Sequence, residues 1–191
     1  YILSDTHNYS IKYKMYGEDH RLSPDEHFQD IKRTILAMMG HARRITVVMP
    51  FLYESRQHRR KSRESLDCAL ALQELKALGV DNIITFDAHD PNVQNAVPTM
   101  AFDNFFPTND ILCSFLENET IDKENTLVIS PDAGAMDRAR YLADIIKVDV
   151  GLFYKRRDLS KVVNGSNPIE AHEYLGKDLD GKSAMGGDDM I

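Results

Sequence analysis

The sequence predicts an α/β protein with mainly parallel β-sheets, because short aliphatic and β-branched runs alternate with amphipathic helical segments. Four of these runs break abruptly into polar or charged clusters: Ile45–Met49, Asn82–Phe86, Thr126–Ile129 and Val148–Phe153. Parallel α/β sheets bind ligands just beyond the carboxyl ends of their strands. Acids, a histidine and bases at several strand ends therefore predict a phosphate-and-metal site.

Length, charge and hydropathy exclude several classes of protein. The 191 residues can bury one good core or two modest ones. The net charge of −7 argues against a dedicated nucleic-acid-binding protein, which needs basic surface to neutralise phosphates. No apolar run approaches the ~20 residues that span a bilayer, and no basic-then-apolar leader is found. We therefore expect no membrane partner and a cytoplasmic location, and we interpret the two cysteines, Cys68 and Cys113, as core thiols of helices.

The elements are predicted in order from caps and hydrophobic periodicity. Ser23, Pro24 and Glu26 form a capping box with proline at the first helical position. Apolar residues then recur at helical spacing up to Gly40. The other predicted elements are a strand through Tyr1–Leu3, a strand over Arg44–Pro50, a helix over Ser65–Leu78, a strand over Asn82–Phe86, a helix over Thr108–Glu117, a strand over Thr126–Ile129, a helix over Met136–Ile146 and a strand over Val148–Tyr154.

These elements are expected to form two domains, 1–105 and 106–191, with Asp103–Thr108 as the passage between them. Each half places a strand, a charged loop and a helix in the same order. The chain opens inside a predicted strand and stops at what resembles the start of a loop, so we expect a fragment or the ordered part of a longer protein.

A basic stretch follows the first of the four strands. Arg56 to Arg63 holds five arginines or lysines in eight residues of an acidic chain. Arginine forks match phosphate oxygens, and their flat faces stack on nucleobases. A solvated run of surface charge is the alternative, but the position after a buried strand favours an anion site.

Carboxylates follow the next two strands. Asp87, His89 and Asp90 offer oxygen ligands that suit Mg²⁺ and an imidazole that can join them, although a structural loop uses the same residues. Asp132 is followed by Gly134, which permits close approach of a ligand, and by a helix that presents amide donors. The alternative for Asp132 is a carboxylate that caps this helix.

Two cations stand at the end of the fourth strand. Lys155 and Arg157 alternate along it, so both can point to one side and offset charge on a transferring phosphoryl or pyrophosphoryl group. An exposed basic strand tip is the alternative. The polar segment Asp158–Asn167 is interpreted as a mobile flap that excludes water. Asp188 and Asp189 fit a pair of acids that accept hydrogen bonds from sugar hydroxyls.

Together and in this order, the motifs resemble those of the ribose-phosphate pyrophosphokinase (phosphoribosyl pyrophosphate synthetase) family over most of the chain. The resemblance implies two tandem phosphoribosyltransferase-like α/β domains, both incomplete here. It implies transfer of the β,γ-pyrophosphoryl group of ATP to the 1-hydroxyl of ribose 5-phosphate, with release of AMP and Mg²⁺ as cofactor. It also implies a homo-oligomer, either a dimer or a hexamer.

The resemblance assigns roles on the nucleotide side. Arg56-Gln57 matches an Arg-Gln pair that holds ATP, and His89 belongs to an Asp-x-His motif that holds magnesium-ATP. Asp132 lies in a Ser-Pro-Asp-x-Gly motif whose aspartate is also assigned to magnesium. His89 and Asp132 are thus the implied metal ligands.

It also assigns the transfer and sugar-binding residues. Lys155 and Arg157 match a Lys-x-Arg motif whose lysine is catalytic and whose arginine stabilises the transferring group and binds ribose 5-phosphate. Asp188 and Asp189 match the opening of the phosphoribosyl-binding loop, whose acids hold the ribose hydroxyls.

The chain departs from the family pattern in several places. His58 stands where many members have aspartate after Arg-Gln, and Glu64–Asp67 replaces a Pro-Ile-Ser type of segment. Ser183–Gly187 replaces a run of β-branched residues, and its glycines weaken a buried strand. Two alternatives therefore stay open. One is a non-catalytic paralogue that binds nucleotide or assembles with an active subunit; the other is a phosphoribosyltransferase, which leaves Arg56-Gln57 and Asp87–His89 unexplained.

Overall fold

The computed structural model describes residues 1–60, 62–157 and 169–187, with the backbone alone for 155–157 and 169–172. The chain divides into two compact units, Tyr1–Pro107 and Thr108–Ile191. Among the described residues, no helix has both the length and the apolar character needed to cross a bilayer.

Unit 1, Tyr1–Pro107, is built on a four-stranded parallel sheet. In chain order its elements are β1 (Ile2–Leu3), β2 (Lys12–Met15), β3 (Glu18–Arg21), α1 (Pro24–Met38), β4 (Thr46–Met49), α2 (Asp67–Ala77), β5 (Asn82–Phe86), a 3₁₀ helix (Pro91–Ala96) and β6 (Ala101–Phe105). The sheet order is β1-β4-β5-β6, and each neighbouring pair is parallel. Strands β2 and β3 form a separate antiparallel hairpin.

The capping box predicted for α1 is confirmed. The Ser23 backbone N–H donates to Glu26 Oε2 at 2.7 Å, and the Glu26 backbone N–H donates to Ser23 Oγ at 3.3 Å. The helix buries Phe28, Ile31 and Ile35 at helical spacing. These side chains belong to one core cluster with apolar residues of α2, β4 and β5, so the helices cover a sheet whose two central strands, β4 and β5, are largely buried.

Unit 2, Thr108–Ile191, contains a second mainly parallel sheet. Its elements are α3 (Thr108–Asn118), β7 (Thr126–Ser130), α4 (Met136–Ile146), β8 (Asp149–Arg157), β9 (Ile169–Leu175) and β10 (Ser183–Gly186). The described sheet has the order β10-β7-β8-β9. Strands β10 and β8 run parallel to β7, whereas β9 is antiparallel to β8. The predicted α/β class with mainly parallel sheets is confirmed.

The two units divide between Pro107 and Thr108, at the end of the segment Asp103–Thr108 that was predicted as the passage, although Asp103 to Phe105 lie in β6 and pair with Ile84 to Phe86 of β5. One sequence prediction is wrong. Cys113 is not a core thiol, because it is exposed on α3, while Cys68 is buried in α2 as expected. Burial raises the pKa of the Cys68 thiol to about 12.

In the second sheet, an aromatic ring occupies the space that a side chain would fill at two glycines. The Tyr174 ring lies over Gly151 of β8 and over Gly176, just beyond β9. A Cβ atom placed on Gly151 would lie only 2.6 Å from Tyr174 Cε2 and 2.8 Å from Cζ. By contrast, the glycines near β10 sit on an edge of the described sheet, where the strand forms although most of it is exposed.

Candidate functional site

A cleft of about 290 Å³ lies in unit 1, among residues that follow β4 and β5. It is lined by Arg56, Gln57, His58, Arg59, Glu64 and His89. The three residues predicted to bind ATP, Arg56, Gln57 and His89, are therefore brought together, although 31 residues of the chain lie between Gln57 and His89.

The basic side of the cleft is anchored by a tight turn after β4. The Ser55 N–H donates to the Leu52 carbonyl at 3.2 Å, and the Gln57 N–H donates to the Glu54 carbonyl at 2.8 Å. Glu54 lies in the left-handed region with φ of 52°. At the start of α2, the Cys68 N–H donates to the Gln57 carbonyl at 3.2 Å, which ties this side to the helix.

The other side is the loop 87–90, which is held by side chains from two neighbouring elements. The Ala88 N–H donates to Asn104 Oδ1 of β6 at 3.0 Å. The His89 N–H donates to the buried Ser55 Oγ at 3.0 Å. The backbone of this loop is thus fixed both to the sheet and to the turn that carries the basic residues.

A histidine–aspartate pair joins the two sides. His58 Nε2 lies 3.2 Å from Asp90 Oδ2, and the His58 side chain is 9% exposed. The rings of His58 and His89 are 5.4 Å apart between centroids. Burial opposes ionisation of Asp90, but the Asn92 N–H and nearby His58 outweigh it, and the net effect lowers the pKa of Asp90.

The exposed groups of the cleft suit a polyphosphate. Arg56, Arg59 and His89 are exposed, and the guanidinium groups can form charge-assisted hydrogen bonds to phosphate oxygens. Within 1–60, 62–157 and 169–187, no group of three or more His, Cys, Asp or Glu side chains is arranged to hold a metal ion. Mg²⁺ commonly takes one or two protein ligands and completes its shell with substrate phosphates and water. The donors present therefore fit a magnesium ion that arrives with a polyphosphate.

In unit 2, Asp132 follows β7 and organises the turn into α4. Its Oδ1 accepts the backbone N–H of Gly134 at 2.9 Å and of Ala135 at 3.2 Å. Ser130 Oγ donates to the Asp132 carbonyl at 2.6 Å. These contacts hold the turn that precedes α4, whose N-cap is Ala135, and do not show the helix-capping role considered as an alternative from the sequence. A metal-binding role for Asp132 stays a prediction.

The backbone of β8 gives the positions of Lys155 and Arg157, the two cations near its end. Leu152 of β8 pairs with Ser130, the last residue of β7, so Lys155 and Arg157 lie on a part of β8 that runs beyond β7. The rise of ~3.3 Å per residue puts Lys155 roughly 10 Å past this point. The predicted flap, Asp158–Asn167, and the acid pair at 188–189 lie outside the described residues.

A cavity of about 430 Å³ occupies the same carboxyl edge of the second sheet. It is lined by Ile129, Pro131, Phe153, Ala184, Met185, Gly186 and Gly187. Gly187 directly precedes the predicted sugar-binding acids in the chain. The cavity therefore lies where strand ends and the approach to the acid pair meet.

Sequence reasoning missed two residues that shape the first cleft. Ser55 stands next to Arg56 and holds His89, but a single serine before a basic stretch carries no distinctive signal. Asn104 lies in β6, which was not predicted as a strand, so its place beside the loop 87–90 could not be anticipated.

Comparison with known proteins finds a family model and curated relatives that all bear the name ribose-phosphate pyrophosphokinase. The family model described as the N-terminal domain of ribose phosphate pyrophosphokinase matches residues 2–79. A ribose-phosphate pyrophosphokinase of Staphylococcus saprophyticus is 34% identical over 164 residues, which cover 82% of this chain and 48% of that protein. One from Oceanobacillus iheyensis is 31% identical over 169 residues, covering 87% of this chain and 50% of that protein.

The fold is also that of a solved structure. Phosphoribosylpyrophosphate synthetase from Mycobacterium smegmatis superposes with a TM-score of 0.73 at 20% identity, over 93% of this chain and 61% of that one. The chain spans about half the length of the curated relatives it matches. On these matches, the family indicated for the chain is that of the ribose-phosphate pyrophosphokinases.

Proposed function

We propose that the protein is a ribose-phosphate diphosphokinase, which transfers the pyrophosphoryl group of ATP to the 1-hydroxyl of ribose 5-phosphate. The observation that carries the proposal is the cleft that gathers Arg56, Gln57 and His89 in unit 1. Under this proposal, 1–105 and 106–191 are incomplete parts of two tandem phosphoribosyltransferase-like domains. The first serves ATP, and the second serves the sugar phosphate.

The nucleotide would be held by groups that the cleft already presents. The Arg56 guanidinium is exposed and can either pair with phosphate oxygens or stack on the base. Gln57 offers both a donor and an acceptor to the nucleotide. His89 is fixed through its backbone, so its exposed imidazole can meet the phosphates or their metal without first ordering the loop.

His89 of unit 1 and Asp132 of unit 2 would each hold magnesium, which when bound would withdraw charge from the polyphosphate and make the β-phosphorus more electrophilic. Asp132 contributes a carboxylate at a helix-leading turn, a chemistry that suits this ion. The chain's own part is to orient these two donors.

Transfer would take place among residues of unit 2. A bond forms between the sugar 1-oxygen and the β-phosphorus, the bond from that phosphorus to the oxygen of the α-phosphate breaks, and AMP leaves. Lys155 and Arg157 would offset the negative charge that spreads over the transferring group. Arg157 would also pair with the 5-phosphate, while Asp188 and Asp189 would accept hydrogen bonds from the ribose hydroxyls.

The proposal includes a homo-oligomer, dimer or hexamer, and a cytoplasmic location, where ATP and sugar phosphates are available. The oligomer is what the resemblance of the motifs implies, and the location is the expectation drawn from the sequence.

The test is an assay of the protein at its full natural length with ATP, Mg²⁺ and ribose 5-phosphate, following AMP and the phosphorylated sugar by phosphorus NMR. We expect Lys155→Ala to abolish turnover without loss of fold. Arg56→Ala should raise the KM for ATP about ten- to hundredfold, which corresponds to one charge-assisted contact. Arg33→Ala, an exposed arginine of α1 paired with Asp30, serves as control and should leave the kinetics unchanged.

Each rival function has a distinct outcome. Nucleotide binding without AMP formation would identify a non-catalytic paralogue. Consumption of the activated sugar with a nucleobase, again without AMP, would identify a phosphoribosyltransferase. Full turnover in the Lys155→Ala variant would remove the catalytic assignment.

A further inference from the structure

We propose that Ser55 and His58 are positioning residues that set the affinity of the cleft for its nucleotide, by holding His89 at a fixed distance from Arg56-Gln57. This inference rests on the proposed nucleotide-binding function of the cleft. It predicts that these two side chains affect the affinity for the nucleotide but not the affinity for the sugar phosphate.

The first contact is made by Ser55. Its hydroxyl accepts the His89 N–H at 3.0 Å, and the residue is 5% exposed. Water cannot easily replace a buried acceptor of this kind, so removal of the hydroxyl leaves the amide of His89 without that partner. The position of the His89 backbone therefore depends on Ser55.

The second contact is made by His58. Its Nε2 lies 3.2 Å from Asp90 Oδ2, and Asp90 follows His89 directly in the chain. Asp90 Oδ1 also accepts the Asn92 N–H at 2.9 Å, so the carboxylate that His58 meets is itself held in place. The His58 ring further packs near the His89 ring.

The two contacts form a brace with a simple geometry. Ser55 and His58 stand on either side of Arg56-Gln57, and they hold two consecutive residues, His89 and Asp90. Two attachments fix both the separation and the relative orientation of the segments, which a single contact would not do. The groups proposed to meet the nucleotide are thus ordered before it binds. Binding then costs less conformational entropy, and the affinity for the nucleotide is higher.

Ser55 and His58 act through their neighbours and not by touching the nucleotide. Ser55 is buried, and His58 is 9% exposed with Nε2 directed at Asp90. His58 Nδ1 is also buried and has no hydrogen-bond partner among the residues that the structure describes. Neither side chain offers an accessible polar atom comparable to the exposed groups of Arg56 and His89.

The experiment measures two ligands on the full-length protein and its variants by titration calorimetry. The probes are a non-hydrolysable ATP analogue with Mg²⁺ and, separately, ribose 5-phosphate. Removing a side chain that orients a ligand-binding group typically costs ten- to a hundredfold, so we expect Ser55→Ala and His58→Leu each to weaken binding of the ATP analogue about tenfold. Binding of ribose 5-phosphate should not change.

Two further variants separate positioning from general damage. His58→Gln can place an amide N–H near the position of Nε2 and should restore most of the nucleotide affinity. Ser114→Ala removes an exposed hydroxyl from α3, outside the basic stretch, and should bind both ligands as the unmodified protein does.

The outcomes are distinguishable. Failure of the unmodified protein to bind the ATP analogue would overturn the proposed function and this inference with it. Normal binding by the unmodified protein, together with undiminished affinity in Ser55→Ala, would overturn the inference alone, even if His58→Leu does not fold. Equal weakening towards both ligands would also overturn it, because that result indicates a general structural role.

Discussion

Replacing Gly151 by alanine tests the packing of the second sheet most directly. The new Cβ would lie 2.6 and 2.8 Å from two ring carbons of Tyr174, which is far inside normal contact distance, so the ring must move. Overpacking of this kind costs about 1–3 kcal/mol. Gly151 has no positive φ, so alanine gains back roughly 0.4–1 kcal/mol by restricting the unfolded chain. We expect a net loss of about 1–2 kcal/mol in the free energy of unfolding.

Urea unfolding followed by circular dichroism measures this loss. Gly186→Ala is the matched control, because a Cβ there would meet nothing closer than the Ile129 carbonyl oxygen at 3.4 Å. This control should be as stable as the unmodified protein or slightly more stable. Tyr174→Ala should cost less in the Gly151→Ala background than alone, since the clash is relieved. Equal stability of Gly151→Ala and Gly186→Ala would refute the packing argument.

Two other predictions concern the α1 cap and the thiols. Ser23→Ala should lower the free energy of unfolding by about 1 kcal/mol in urea titrations, because the Glu26 N–H loses its acceptor. The Ser23 N–H, which donates to the Glu26 carboxylate, is the main cause that lowers the pKa of Glu26. The stabilisation from this contact is therefore complete above the ordinary pKa of 4.5 and is lost as the pH falls through the lowered pKa of the folded protein. Glu26→Gln should reduce the loss of stability on acidification, and an unchanged pH profile would contradict this prediction. Exposed Cys113 should react quickly with a thiol reagent, whereas buried Cys68, whose pKa is raised to about 12, should react only on unfolding; within this chain, a fast reaction that survives Cys113→Ser would contradict the assignment.

The sequence contains enough information to predict the elements with strong local signals. The bounds predicted for Asn82–Phe86 and Met136–Ile146 agree with β5 and α4, because apolar periodicity and flanking polar residues mark both ends. The capping box of α1 is equally local. Parallel pairing of β4 with β5 and of β7 with β8 then follows, because a helix-sized segment separates the two strands of each pair.

Other elements depend on contacts that a local pattern does not show. Strand β6, Ala101–Phe105, has two adjacent polar residues, Asp103 and Asn104, so no apolar run or alternation marks it, and its identity depends on pairing with β5. The exposure of Cys113 depends on which face of α3 is covered, and α3 buries only Leu112. The gathering of Arg56, Gln57 and His89 was anticipated from strand order, but the contribution of Ser55 comes from a tertiary hydrogen bond.

Strand order also determines when each sheet can be completed during synthesis. In Tyr1–Pro107, neighbouring strands of the parallel sheet appear in chain order, so each new strand can add to an existing edge. In the second unit, Thr126 pairs with Ser183, and the flank of β7 must wait for a strand made much later. Until that strand emerges from the ribosome, the backbone groups on this flank of a strand that is wholly buried in the folded unit are open to wrong partners. Thr126–Ser130 is thus a segment of the nascent chain on which a chaperone could act.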